Sequence, residues 1–284
     1  KTMNFLGLPT TNVYAYNMPG FGTTRRTKNN ATRLCRALEV SFGNVNVTRS
    51  CKSHLQDLEH DSSEDVVFEN VQARYRTEFL FNKANDIGGI VLGTGDLTEI
   101  ALGWCTFSGD QLSHYHVNAS VPKTLVRYLI KWVADEEMSN KPVQKVLYDV
   151  IATPISPELR RPVKGEIAQK SEEVIGPVEL ADFYLYPFIR FGTRPGKILY
   201  LANEARRRGL FNVQYSVDDL YKWLKSFLER FFASQFKRTC MPEGPKIGSV
   251  SLSPRGDWRM ASDALPTLWL EDLDAMYMKI KRNQ

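Results

Sequence analysis

Residues 91–104 read VLGTGDLTEIALGW. The apolar run Ile90-Val91-Leu92 ends in Gly93-Thr94-Gly95, and an apolar helical rhythm follows at Leu97, Ile100 and Ala101. A strand that turns tightly through glycines into a helix confines the chain to folds in which strands and helices alternate. In those folds the turn is where phosphates are held. This turn carries two carboxylates, Asp96 and Glu99, and no lysine. Two readings stand side by side. Glu99 holds Mg²⁺, which in turn holds nucleotide phosphates while Thr94 contacts the nucleotide directly. Or Asp96 and Glu99 cap the helix and complement its dipole. A dinucleotide G-x-G-x-x-G is excluded, because Glu99 stands near where a third glycine is required.

The same alternation precedes this segment. Residues 1–9 resemble the end of a helix closed by Gly7 and Pro9, and NVYAYNMPGF (12–21) a buried strand. A Thr-capped helix is predicted over 23–39, a strand over 44–49, a helix over 65–85 and a buried strand at GGIVLG. Apolar strands alternating with helices predict a parallel α/β sheet with helices on both faces. After residue 120 helical spacing dominates. Helices are predicted over 121–133, 143–151, 178–190, 196–207 and 217–236, the last capped by Ser216 with Asp218 and Asp219. TPISPEL (153–159) breaks one of them with two prolines, and the Gly/Pro/Ser-rich stretch from Met241 predicts an ordered loop or lid. The expected organisation is one domain, 1–284, with a parallel α/β part to residue 120 and a mainly helical part over 121–284.

The 284 residues suffice for a sizeable core, and the net charge of +5 suits an anionic ligand without requiring one. Arg25-Arg26, Arg160-Arg161 and Arg206-Arg207-Arg208 are scattered and lack aromatic interleaving, which argues against nucleic acid. Four dispersed cysteines without C-x-x-C spacing suit reduced thiols and a cytoplasmic protein. No apolar run reaches membrane-spanning length, and no signal peptide is evident. The chain starts at Lys1, so an upstream segment is expected.

Further candidates lie outside the turn. Asn70 and Arg74, four apart in FENVQARYRT, share a helical face near Arg76, where a guanidinium fork suits phosphate or carboxylate. That face is equally readable as solvated. His114 and His116 form a weak metal pair, and rings satisfied by backbone are the favoured reading. Lys123, after Pro122 at a helix start, is placed to reach a phosphate. Cys105 lacks the orienting acid of a thiol nucleophile. Lys237, Arg238, Lys246, Arg255 and Arg259 are expected in a flexible tail, as solvated charge or as residues closing over a nucleotide.

Taken together, MPGFGTTRRTKNNA, FENVQARYRT, VLGTGDLTEIALGWCTFSGDQLSHYHVNASVPKTL, TPISPEL and QFKR…PRGDWR closely resemble the synthetase domain of glutamine-dependent NAD synthetases, in order and along essentially the whole chain. The resemblance implies an adenine-nucleotide alpha-hydrolase-like fold and an amide-forming ligase. ATP adenylates the nicotinate carboxylate of deamido-NAD, and ammonia then displaces AMP. The ammonia comes from an N-terminal glutaminase domain. Carried over by motif, Thr94, Lys123 and Ser156 are expected at ATP. Asn70, Arg74, Glu99, Trp104, Cys105, Thr106, Phe107 and Lys237 are expected at deamido-NAD, and Glu99 at Mg²⁺. A homo-oligomer is implied, with Asn70 and Arg74 reaching across its interface. The family's S-G-G-x-D-S pyrophosphate loop, with its strand and Mg²⁺-binding Asp, is not among these residues. The missing strand is expected between 13–18 and 88–93, and these residues alone are expected to be inactive. A non-catalytic nucleotide-binding module, or one half of a split enzyme, is the alternative.

Overall fold

The structure, a computed structural model, describes residues 1–138, 140–153, 158–161 and 171–283. In chain order its principal elements are α1 (Thr2–Phe5), β1 (Tyr14–Asn17), α2 (Arg25–Ala37), β2 (Ser41–Asn44), α3 (Thr48–Asp57) and α4 (Val66–Ile87). There follow β3 (Leu92–Gly93), α5 (Leu97–Leu102), β4 (Tyr115–His116), α6 (Lys123–Trp132) and α7 (Lys141–Ile151). The C-terminal part is helical: α8 (Ser171–Ile175), α9 (Val178–Phe191), α10 (Pro195–Arg207), α11 (Val217–Ala233), α12 (Gln235–Thr239) and α13 (Thr267–Arg282). The chain forms two compact units, one of Lys1–Phe79 with Val126–Ser171, the other of Leu80–Leu125 with Glu172–Gln284.

In the first unit β1 and β2 pair in parallel, Tyr14 opposite Ser41 and Asn17 opposite Asn44. A parallel pair needs a crossover, and α2 supplies it. Thr24 caps α2, its Oγ1 accepting from the Thr27 amide at 3.3 Å. The predicted strand at 44–49 is displaced: pairing ends at Asn44, and Thr48 begins a helix that the periodicity did not announce. The core here is Val47, Cys51, Leu55, Phe68 and Val71, with Met18, Phe21 and Tyr75 packed on it. Gln72 is buried among them. Its Oε1 accepts from Phe21 N at 3.1 Å, and its Nε2 donates to the carbonyls of Phe68 and Leu159 at 3.1 and 2.8 Å.

The second unit holds the parallel pair β3–β4, Leu92 opposite Tyr115 and Gly93 opposite His116. GGIVLG was expected to be buried throughout. Instead burial alternates: Val91 is 9% exposed, whereas Ile90 and Leu92 are 66% and 53% exposed, so only one face of the strand meets the core. Around it α5, α9, α10, α11 and α13 enclose a large apolar cluster centred on Leu102, Tyr184, Phe188, Leu199, Leu224 and Phe231. Tyr184 is fully buried and satisfies its hydroxyl on the Leu220 carbonyl at 3.0 Å. At the head of α11, Ser216 and Asp219 form a reciprocal capping box.

The stretch after Met241 is anchored by residues of its own. Met241, Val250 and Leu252 are buried, and its basic residues pair locally: Lys246 with Asp257 at 2.6 Å, Arg255 with Glu243 at 2.5 Å. Lys237 and Arg238 are not in a flexible tail either; both sit on α12, and Arg238 is 1% exposed. Its guanidinium donates to the carbonyls of Ile100, Ala101 and Phe231, closing the end of α5 with a cation.

Gly103 terminates α5 at φ +59°, and a Cβ there would overlap the buried side chain of Ser234. Gly103→Ala is therefore expected to cost more than about 2 kcal/mol, combining left-handed strain with the clash. Urea unfolding measures it; a loss under about 0.5 kcal/mol would contradict this account of the α5–α12 junction.

Candidate functional site

The turn between β3 and α5 is built around one buried charge cluster. Asp96 is the N-cap of α5, its carboxylate accepting from Glu99 N at 2.9 Å, and Glu99 returns the bond by accepting from Asp96 N at 3.2 Å. The capping reading of these acids is therefore correct, and it is not the whole of their role. Lys123, the first residue of α6, places Nζ 2.6 Å from Asp96 and 2.8 Å from Glu99. Two carboxylates share one ammonium, leaving one negative charge over. Burial, and after it the Asp96 charge, push Glu99 up to about 7 against the pull of Lys123. For Lys123, burial alone acts downward, but Glu99 and then Asp96 outweigh it and hold the ammonium charged.

A second network fixes where Lys123 stands. Asp182 on α9 accepts from Thr98 Oγ1, from Thr124 N at 2.9 Å and from Thr124 Oγ1 at 2.7 Å. Thr98 Oγ1 in turn accepts from Lys123 N at 2.9 Å. The starts of α5 and α6 are thus pinned to α9 by one half-buried carboxylate. Nothing in the sequence singles out Asp182, which lies within an otherwise apolar helical run.

Beside the turn lies a cavity of about 160 Å³, lined among others by Thr94, Gly95, Glu99, Cys105, Asp110, Gln111, His116 and Lys237. The structure thus brings together Thr94, Glu99, Cys105 and Lys237 of the predicted residues, with Lys123 bonded to Glu99. Lys237 does not stand out into solvent. Its Nζ donates to the carbonyls of Gly103 and Cys105, both at 2.7 Å, strapping the 103–105 loop to α12. Burial first, then Asp110, push the Cys105 thiol up to about 12, so it carries no thiolate chemistry. Thr106 N donates to Asp110 Oδ1 at 2.7 Å, Trp104 packs on the helical core, and Phe107 is 39% exposed against Phe236. Asn70 and Arg74 lie on α4 in the first unit, Asn70 half-buried and Arg74 exposed. Ser156 lies outside the described residues.

The histidines divide. His114 is satisfied as expected, Nδ1 accepting from Val91 N at 2.9 Å. His116 is 3% exposed and its ring lies against the Gly95 backbone; burial lowers its pKa, opposed by Gly95 and then Asp96. No cluster of three or more metal-ligating side chains occurs among the described residues.

A family profile for NAD synthase matches residues 3–184. The chain belongs to the NAD synthase family. It is 43% identical to a glutamine-dependent NAD(+) synthetase of Mycobacterium leprae over 96% of its own length, and 45% identical to that of Mycobacterium tuberculosis H37Rv over 94%. It spans about 43% and 42% of the length of these two curated relatives. Its fold matches a glutamine-dependent NAD(+) synthetase structure from Cytophaga hutchinsonii with a TM-score of 0.70, covering 90% of this chain and 40% of that one at 18% identity. The α/β fold expected from the alternating strands and helices is thus the family's fold.

Because the folded state raises Glu99 above its unfolded value, it binds the proton more tightly. The stability Glu99 contributes is present below about pH 4.5 and is lost as pH rises through about 7. Over that range the loss is on the order of 3 kcal/mol at most. Glu99→Gln keeps a capping-box side chain and is expected to abolish this part of the slope. Thermal melts of both proteins between pH 5 and 8 test it; parallel slopes would contradict the assigned burial of an uncompensated charge.

Proposed function

We propose that this chain provides the synthetase part of an ATP-dependent amide ligase that converts deamido-NAD to NAD. The supporting observation is the Asp96–Glu99–Lys123 cluster at the β3–α5 turn, with its one surplus negative charge. Magnesium that accompanies a nucleotide keeps most of its shell as water and phosphate and takes one or two protein carboxylates. Glu99 fits that role: its charge is only part-neutralised, and it lines the cavity together with Thr94. When bound, the ion would neutralise charge on the phosphates being transferred. The remaining work falls to the chain. Thr94, Lys123 and Ser156 hold ATP, while Asn70, Arg74, Trp104–Phe107 and Lys237 hold deamido-NAD. Glu99 draws Lys123 and the nucleotide to the same turn. The strap from Lys237 to Gly103 and Cys105 keeps the dinucleotide-contacting loop in one shape, so that its backbone is pre-organised.

In this reading the carboxylate of deamido-NAD attacks the α-phosphorus of ATP and pyrophosphate leaves. Ammonia then attacks the carboxyl carbon, AMP leaves with the C–O bond electrons, and one proton is released. The ammonia derives from glutamine through an N-terminal glutaminase domain, the protein is cytoplasmic, and Asn70 and Arg74 lie near the interface of a homo-oligomer. Among the described residues no helix is long and apolar enough to cross a membrane.

The test is NAD formation from deamido-NAD, ATP and ammonium, by a form of its relatives' length and by the 284-residue chain. The longer form is expected to make one AMP per NAD, and Glu99→Gln in it to lower kcat by about 10²-fold or more. The 284 residues contain no S-G-G-x-D-S segment and are expected to make none. No NAD from the longer form would overturn the functional reading; NAD from the shorter one would overturn its predicted inactivity.

A further inference from the structure

Helix α6 begins without a cap of its own. Its first residue is Lys123, and before it stands Pro122, whose side chain offers no acceptor to the amides of a helix start. Acceptors come instead from two other helices. Lys123 N donates to Thr98 Oγ1 on α5 at 2.9 Å, and Thr124 N donates to Asp182 Oδ2 on α9 at 2.9 Å. The Thr124 hydroxyl reaches the same Oδ2 at 2.7 Å, and the Thr98 hydroxyl donates to Oδ1. That last bond sets a direction. With its proton committed to Asp182, Thr98 Oγ1 turns a lone pair to Lys123 N, so a relay runs from Lys123 N–H through the Thr98 hydroxyl to Asp182.

Among the described residues Asp182 meets three hydrogen-bond donors and no cation within ion-pair distance. Burial raises its pKa, and the bonds from Thr98 and Thr124 oppose that rise. Its neighbours Leu180, Ala181, Tyr184 and Leu185 are buried in the helical core. A carboxylate taken into such a setting without a counter-charge seldom adds net stability. What it does is fix the backbone from which the Lys123 side chain reaches Asp96 and Glu99, at 2.6 and 2.8 Å. Asp182 is not among the residues lining the cavity beside the turn. We propose that Asp182 is a positioning residue for the ligase: through Thr98 and Thr124 it holds the start of α6 so that the Lys123 ammonium stands at the nucleotide turn, an arrangement whose chemistry rests on the functional reading above.

The test takes two readouts on Asp182→Asn in the form of its relatives' length, numbered as here. Asn keeps an acceptor for Thr124 but turns its NH₂ to Thr98, whose oxygen must then accept from it in competition with Lys123 N. Trace acetylation with acetic anhydride, read by peptide mass, is expected to modify Lys123 about threefold faster or more. Lys237, strapped to the carbonyls of Gly103 and Cys105, is expected to be unchanged; a general loosening of the fold would speed both. In NAD formation from deamido-NAD, ATP and ammonium, kcat is expected to fall about tenfold or more while KM for deamido-NAD stays within about twofold. Thr98→Val is expected to show the same effects, and Thr98→Ser, which keeps the hydroxyl, to lose less. Lys123 labelling that is unchanged, or accelerated equally with Lys237, overturns the assignment, as does a kcat within about twofold of the parent's. If Asp182→Asn does not fold, Thr98→Val is set against Thr98→Ser, and equal Lys123 labelling with equal kcat overturns it. Faster Lys123 labelling in a protein whose parent makes no NAD leaves the positioning standing and removes the functional reading. NAD formation by the parent, with Lys123 labelling and kcat unmoved in Asp182→Asn, does the reverse.

Discussion

Lys123 stands between two carboxylates, and the turn at residues 93–99 depends on that. With the ammonium 2.6 Å from Asp96 and 2.8 Å from Glu99, charge that would otherwise oppose burial is reduced to a single surplus. Buried ion pairs of this kind seldom add net stability, so the cluster is better understood as a structure held for what it can bind. Its location follows from packing. Asp182 pins the starts of α5 and α6, Arg238 closes the end of α5, and Lys237 straps the loop that follows. Each of these polar contacts is seated on the apolar cluster of α9, α10, α11 and α13, which gives the site rigid walls.

Glu99 serves local structure and chemistry together. As the third residue of α5 it completes the capping box, and as a cavity-lining carboxylate it carries the charge that Lys123 does not cancel. The two readings of a D-x-x-E turn, cap or metal half-site, therefore do not exclude each other. The cap fixes the rotamer, and a fixed rotamer in a buried setting is what makes an incompletely neutralised carboxylate useful to a cation.

Local signals carried most of the fold. Thr24 and Ser216 were legible as caps because N-cap chemistry is set within four residues, and α4, α9, α10 and α11 announced themselves by apolar spacing. Helix α3 did not, since only Cys51 and Leu55 of its ten residues are buried. The alternating burial of β3 was also hidden, because a run of Ile, Val and Leu has the same appearance whether one face or both are covered. At the site, Thr94, Glu99 and Lys123 stood out by residue type and position, and the motif resemblance pointed to the 104–107 loop and Lys237. What the sequence did not disclose was the partner of each charge. Asp182 beneath Thr98, and the burial of His116 and Gln111, are products of tertiary packing, and no spacing rule reports them.

The most direct measurement of the account is calorimetry of ATP with Mg²⁺ binding to this chain at pH 7, in buffers of different ionisation heat. Burial holds the Glu99 carboxyl up to about 7, so its recruitment to a cation releases protons on binding, and Glu99→Gln must bind without that release. Magnesium-dependent binding with proton release that disappears in Glu99→Gln is the result expected. Binding that is independent of magnesium, or proton release unchanged in the variant, would contradict the assignment of this turn as half of a metal-nucleotide site.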